Sequence, residues 1–170
     1  MQTGMHRRTL LSTLGAGALM VTAGLAGSAP AAADAPRAAA GPQFRITSQE
    51  TGAWAKNFPA PGEQATSLVV LDDQFASIFE RWTIRPHEGQ YTIQNAATGH
   101  WATAEKNGQV VGSSELNGTN ADWRIERAGA EGFTIGRAGD DLVWTASEDH
   151  IELKPADGSN AQRWSFLAVN

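Results

Sequence analysis

Short runs in which apolar and polar residues alternate recur along the chain from about residue 43 onwards. Trp82-Thr-Ile84, Trp123-Arg-Ile125 and Trp164-Ser-Phe166 are three such runs, and their tryptophans stand 41 and 41 residues apart. Phe44-Arg-Ile46, Tyr91-Thr-Ile93 and Phe133-Thr-Ile135 form a second set. A period of two sends successive side chains to opposite faces of an extended chain, so each run predicts a half-buried strand. A third set of landmarks, Trp54, Trp101 and Trp144, follows the leading aromatics by ten or eleven residues. One more apolar run completes each unit: Ser67–Leu71, Gln109–Val111 and His150–Leu153. Turn signals separate them at Glu50-Thr-Gly52, Lys106-Asn-Gly108, Asn117-Gly118 and Asp157-Gly158.

The pattern therefore predicts three repeats of about 41 residues with four short strands each. The expected strands are 43–48, 52–56, 67–71 and 80–85, then 90–95, 100–104, 108–112 and 121–126, then 132–136, 142–147, 149–154 and 162–168. Short strands at this spacing indicate a closed all-β barrel or sandwich. Three four-stranded repeats of this length make a β-trefoil. A three-bladed propeller has the same strand count, but propellers run to about four to eight blades. Most of the tryptophans are expected in the core, where aromatics dominate packing.

The N-terminus follows a different rule. Arg7 and Arg8 precede an uncharged stretch from Thr9 to Ala33 that ends in Ala31-Ala32-Ala33. A charged, then apolar, then small-residue order predicts a secretory signal over 1–33. Gly15, Gly17, Gly24 and Gly27 weaken the competing reading of a spanning helix. The adjacent arginines also fit a twin-arginine export signal. Residues 34–42 read as an Ala/Pro-rich leader, leaving 43–170 for the domain.

Composition then narrows the function. The chain has no cysteine, so an exported domain must rely on packing, with its six tryptophans as the main supply. Removing Arg7 and Arg8 leaves 11 basic and 18 acidic residues, a net charge of −7. That sign disfavours nucleic acid and anionic lipid as partners. The expectation is a secreted monomer with no stable membrane association after processing. His87, His100 and His150 show no metal-ligand spacing. On a strand, only Glu148 and His150 of the Glu148-Asp-His150 run would share a face, too few groups for a metal. No nucleophile elbow or phosphate loop is present, so neither catalysis nor a cofactor is expected.

Two resemblances follow from particular residues. Asp157-Gly-Ser-Asn-Ala-Gln-Arg-Trp164 resembles the closing Gln-x-Trp motif of ricin-type lectin domains, whereas Phe79-Glu-Arg-Trp82 and Asn120-Ala-Asp-Trp123 lack the glutamine. That resemblance implies a sugar pocket with an early aspartate and an aromatic platform. Of the equivalent stretches Gly52-Ala-Trp-Ala, Gly99-His-Trp-Ala and Asp141-Leu-Val-Trp, only the last has a carboxylate, which makes Asp141 and Trp144 the sugar-binding candidates. The second resemblance extends from about Phe44 to Asn170. Phe44-Arg-Ile, Trp54-Ala-Lys-Asn, Leu68-Val-Val-Leu, Asp122-Trp-Arg-Ile-Glu126, Gly132-Phe-Thr-Ile135 and Ile151-Glu-Leu-Lys-Pro155 are similar to the cospin-like serine protease inhibitors, peptidase inhibitor family sixty-six. It implies a loop between the second and third strands that enters a protease substrate-fashion.

The loop lengths single out the same place. From first to second tryptophan the repeats measure 28, 22 and 20 residues, and part of the surplus is Lys56–Thr66. Long loops on rigid scaffolds often carry recognition, and Pro59 and Pro61 limit the freedom lost on binding. Trypsin-like proteases read a basic side chain with a buried aspartate. The expected protease-binding loop is therefore Lys56, Asn57, Phe58 and Pro59, with Lys56 outermost. In the plainer alternative, Lys56 is a solvated strand end and Phe58 covers the barrel. The stretch Asp72–Phe79 supplies the rest of the surplus, and its two carboxylates, Asp72 and Asp73, read as the start of a helical turn. The sequence thus leads to a secreted serine protease as partner, with a glycan as the alternative.

Overall fold

A computed structural model describes residues 41–58, 66–116, 118–130 and 132–169. The expected signal at 1–33 and most of the leader lie outside the described residues, as does Pro59. Twelve strands are present among the described residues. The first repeat contains β1 (Gln43–Ser48), β2 (Trp54–Asn57), β3 (Thr66–Asp72) and β4 (Arg81–His87). The second contains β5 (Gln90–Asn95), β6 (Trp101–Ala104), β7 (Val110–Ser113) and β8 (Trp123–Ala128). The third contains β9 (Gly132–Arg137), β10 (Leu142–Ser147), β11 (His150–Pro155) and β12 (Trp164–Val169). Each repeat also carries a 3-10 turn before its closing strand: η1 (Ile78–Glu80), η2 (Gly118–Ala121) and η3 (Asn160–Gln162). The alternation pattern runs through those turns, which is why the expected closing strands begin one or two residues early.

Antiparallel pairings close a ring of six strands, β1–β4–β5–β8–β9–β12 and back to β1. The remaining strands form three hairpins, β2–β3, β6–β7 and β10–β11. Strand β3 pairs with both β7 and β11, and Gln109 bridges to Glu152, so the hairpins close a triangular cap over the barrel. This is the β-trefoil expected from the repeats.

The barrel interior follows the sequence period. Ile46, Ile93 and Ile135 are fully buried, as are Trp82, Trp123 and Trp164. A buried indole N–H needs an acceptor. Each of the three finds one in the cap: Trp82 Nε1 donates to the Ala55 carbonyl at 2.7 Å, Trp123 Nε1 to Ala102 at 2.9 Å, and Trp164 Nε1 to Trp144 at 3.1 Å. The acceptors reveal the true threefold correspondence, in which Trp144 matches Ala55 and Ala102. Strand register agrees, because Thr47 faces Trp54, Gln94 faces Trp101 and Gly136 faces Val143. The expected equivalence of Trp144 with Trp54 and Trp101 is off by one residue, and a one-residue slip on a strand reverses the face.

Trp144 consequently points inward, fully buried, edge-on to Trp123 at 5.2 Å and to Trp164 at 5.9 Å between ring centres. Two alanines at the matching positions leave the volume it fills. Its own Nε1 has no hydrogen-bond partner. The second repeat has a compensating gap. Gly112 stands where Leu71 and Leu153 stand in the other repeats, and the Asn57 side chain occupies the space that a Cβ there would need.

Truncation of Trp144 to alanine should cost about 3–5 kcal/mol, whereas Trp101→Ala, at a half-buried strand start, should cost distinctly less. Urea unfolding of the two variants followed by circular dichroism measures the difference. Equal losses would contradict the core role assigned to Trp144.

Candidate functional site

The surplus of the first repeat folds inward at its base. Lys56 is 1% exposed, and its ammonium donates to Asp72 Oδ2 at 3.0 Å and to the Phe75 carbonyl at 2.7 Å. Its ammonium also lies 5.3 Å from the centre of the Trp54 ring, over which Arg45 stacks at 4.2 Å. Asp72 in turn accepts from the Gln74 N–H at 2.7 Å. The helical turn starts at Ser77 and not at the aspartates: Ser77 Oγ accepts from Phe79 N–H and Glu80 accepts from Ser77 N–H. Buried Glu80 also pairs with Arg45. These contacts pin 72–80 to the cap while the Phe75 ring stays 77% exposed.

The geometry corrects the expectation for the protease-binding loop. A side chain read in a protease pocket must be free to leave its own protein, and Lys56 is held in the interior by two polar partners. Asn57 is fully buried, where Thr98 Oγ1 donates to its Oδ1 at 2.9 Å. Phe58 remains 40% exposed and packs on Phe79 with ring centres 5.3 Å apart.

The sugar pair expected in the third repeat is not brought together either. Asp141 is exposed, but Trp144 faces the core and offers no surface platform. The neighbouring Asp140 holds the turn: it accepts from Arg137 Nε at 2.7 Å and from Leu142 N–H at 3.0 Å. Partial burial works to raise the Asp140 pKa, but the hydrogen bonds it accepts from Arg137 and from the Leu142 N–H together outweigh it, and the net shift is downward. Gln162 is buried and structural. It accepts from the N–H groups of Asp157 and Gly158 and donates to Thr145 and the Pro155 carbonyl. His150 meets Asp149 at 3.1 Å and Glu152 at 3.0 Å, instead of Glu148. Glu148 and Asp149 lie in a turn with φ +48° at Glu148, where strand alternation does not hold. No group of three or more His, Asp or Glu among the described residues is arranged to hold a metal ion.

A polar depression opens instead in the second repeat, between the β6–β7 turn and η2. Ala104, Glu105, Lys106, Asn107 and Asn120 line it. Asn107 is oriented by Gln109: its Nδ2 donates to Gln109 Oε1 at 2.7 Å and its Oδ1 accepts from Gln109 N–H at 3.0 Å. The matching place in the first repeat has Phe79 for Asn120 and is covered by Phe58. In the third repeat the corresponding residue is Ala161, which brings no polar side chain. The sequence marked Lys106-Asn-Gly108 only as a turn, because nothing in the spacing shows that Asn120 comes to face it.

A second tryptophan-based surface is separate. Trp101 is half-buried at the start of β6, about 10 Å of strand away from Ala104. Among the tryptophans of residues 80–164 it alone keeps exposed surface.

Comparisons with known proteins add the family. A family model described as ricin-type beta-trefoil lectin domain-like matches residues 80–164, half of the chain. The chain belongs to this family. No curated protein sequence matches it. Among solved structures, the Macrolepiota procera ricin B-like lectin in complex with lactose superposes with a TM-score of 0.61 at 16% identity, over 73% of this chain and 93% of that one. SeviL bound to asialo-GM1 saccharide gives 0.60 at 12% identity, over 75% and 98%. An endo-β-galactosidase from Clostridium perfringens gives 0.65 at 13% identity over 76% of this chain, which spans only 33% of that enzyme. At such identities the likenesses establish the fold.

Replacing Lys56 with alanine should cost about 2–4 kcal/mol, from the lost stem packing and an abandoned Asp72, with Lys56→Met recovering part of it. Denaturant midpoints of both variants check this. Four carboxyls titrate below their ordinary values. For Asp72 the Gln74 N–H acts first and Lys56 second, and for Asp157 the Ser159 hydroxyl and N–H act together. For Glu152 the leading cause is Lys154, and Asp140 is as described above. Groups lowered in the folded state add stability that is complete above about pH 5 and disappears as pH falls below about 4 through their folded values. Melting temperatures at neutral and acid pH should show that fall, and a flat profile would contradict it.

Proposed function

We propose that the domain is a glycan-binding module whose site is the depression between the β6–β7 turn and η2. One observation carries the reading: Glu105, Lys106, Asn107 and Asn120 converge there, inside the segment that carries the family match. A sugar presents hydroxyls that both donate and accept. Amides and a carboxylate at a concave surface answer that chemistry, and the ordered Asn107 lowers the cost of arranging them. The named neighbours that hold lactose and asialo-GM1 saccharide support the class of ligand. Export, expected from the first 33 residues, is part of the proposal and would place the module where such glycans are met.

In a calorimetric titration of a glycan selected from an array, Asn120→Ala and Glu105→Ala should each weaken binding by about tenfold or more. Trp101→Ala, at the opposite end of β6, should leave it within about twofold. If Trp101→Ala abolishes binding and the other two do not, the site lies on the tryptophan. Stoichiometric inhibition of trypsin, chymotrypsin or subtilisin without any glycan bound would replace the glycan reading with protease inhibition.

A further inference from the structure

A second depression lies on the other flank of η2 and crosses the boundary between repeats. His87 and Glu88, from the β4–β5 hairpin, line it together with Leu116, Gly118, Thr119 and Asp122. Asn120 lines the first depression, so consecutive residues of one 3-10 turn face both. That turn advances about 2 Å per residue, so its full length is only about 6 Å.

The groups in this second depression suit a polyhydroxylated ligand. His87 Nδ1 is 2.9 Å from Asp122 Oδ1. An ionised carboxylate only accepts, so in the neutral imidazole Nδ1 keeps the proton and the Nε2 lone pair is left to accept from a hydroxyl. The His87 side chain is 43% exposed, while Asp122 is only 15% exposed and is fastened from both sides: its N–H donates to Thr119 and its carbonyl accepts from Ala138. The imidazole is thus held in one orientation by a rigid partner. Beside it, Leu116 is 42% exposed and offers an apolar surface to the C–H face of a sugar ring. Thr119 adds a hydroxyl that can donate or accept.

Charge selects among glycans. Glu88, Glu105 and Asp122 line the two depressions against Lys106 alone, on a domain of negative net charge. Sialylated or sulfated sugars would be repelled. We infer that the two depressions are subsites of one site and that the ligand is a neutral oligosaccharide long enough to cross η2. The inference rests on glycan binding at the first depression. It adds the second subsite and the ligand class.

The test uses the full chain on a printed array of neutral and sialylated glycans of one to about six sugars, followed by calorimetry with the shortest and longest bound members of one series. The longer glycan should bind about tenfold more tightly than the shorter. His87→Ala and Leu116→Ala, both at exposed side chains, should reduce the longer glycan to the affinity of the shorter and leave the shorter unchanged. Two substitutions guard against one disturbing the hairpin, and unchanged melting temperatures confirm that the fold is intact. Equal affinity for short and long members, or equal losses on both in the variants, would overturn the second subsite while leaving glycan binding in place. Preference for sialylated members would overturn the neutral class. Absence of binding to every glycan would overturn the underlying reading and this inference together.

Discussion

The pairing of three buried indole N–H groups with cap carbonyls organises this molecule. Trp82, Trp123 and Trp164 each begin or nearly begin a barrel strand, and each sends its N–H across to a carbonyl of a cap strand, on Ala55, Ala102 or Trp144. In an apolar interior the alternative is an unpaired donor, which costs about 1–3 kcal/mol. The three bonds therefore fix how far each hairpin sits from the barrel and in which register. With no cysteine in the chain, they take over part of what disulfides do in other small domains.

The threefold scheme tolerates unequal contributions provided that the shared interior is filled. One repeat supplies an indole where two supply methyl groups, and Trp144 extends between Trp123 and Trp164 to use the space. Gly112 withdraws its side chain and Asn57 enters from the first repeat. Such exchanges conserve total volume while breaking symmetry, which close-packed interiors permit far better than voids.

The same divergence distributes the surface chemistry. At three matching places beside the 3-10 turns, the first repeat stacks Phe58 on Phe79 and the third presents Ala161. The second leaves Asn120 facing Glu105, Lys106 and Asn107. The three places thus differ first at the residue three before each closing tryptophan: phenylalanine, asparagine or alanine. In the first repeat the stretch 72–80 is braced against the cap, with Lys56 serving as an internal tie between Asp72 and the Phe75 carbonyl.

Period, repeat number and fold class were legible in the chain because burial on a strand alternates with period two and the aromatic landmarks recur at fixed intervals. Trp82, Trp123 and Trp164 could be assigned to the core on that basis. Trp144 could not be told from Trp54 and Trp101, since a slip of one residue leaves the sequence pattern almost unchanged but reverses the face. Lys56 illustrates a second limit. Its charge and its place at the mouth of a long loop suggested exposure, and only the return of Asp72 and Phe75 against it supplied partners that permit burial. The depression at Asn120 is a third case: its residues are separated by a strand and a turn, and they meet only when β6–β7 folds back on η2. Alternation along one strand determined what was core, and the pairing of distant segments decided which polar groups were satisfied inside and which were left facing solvent.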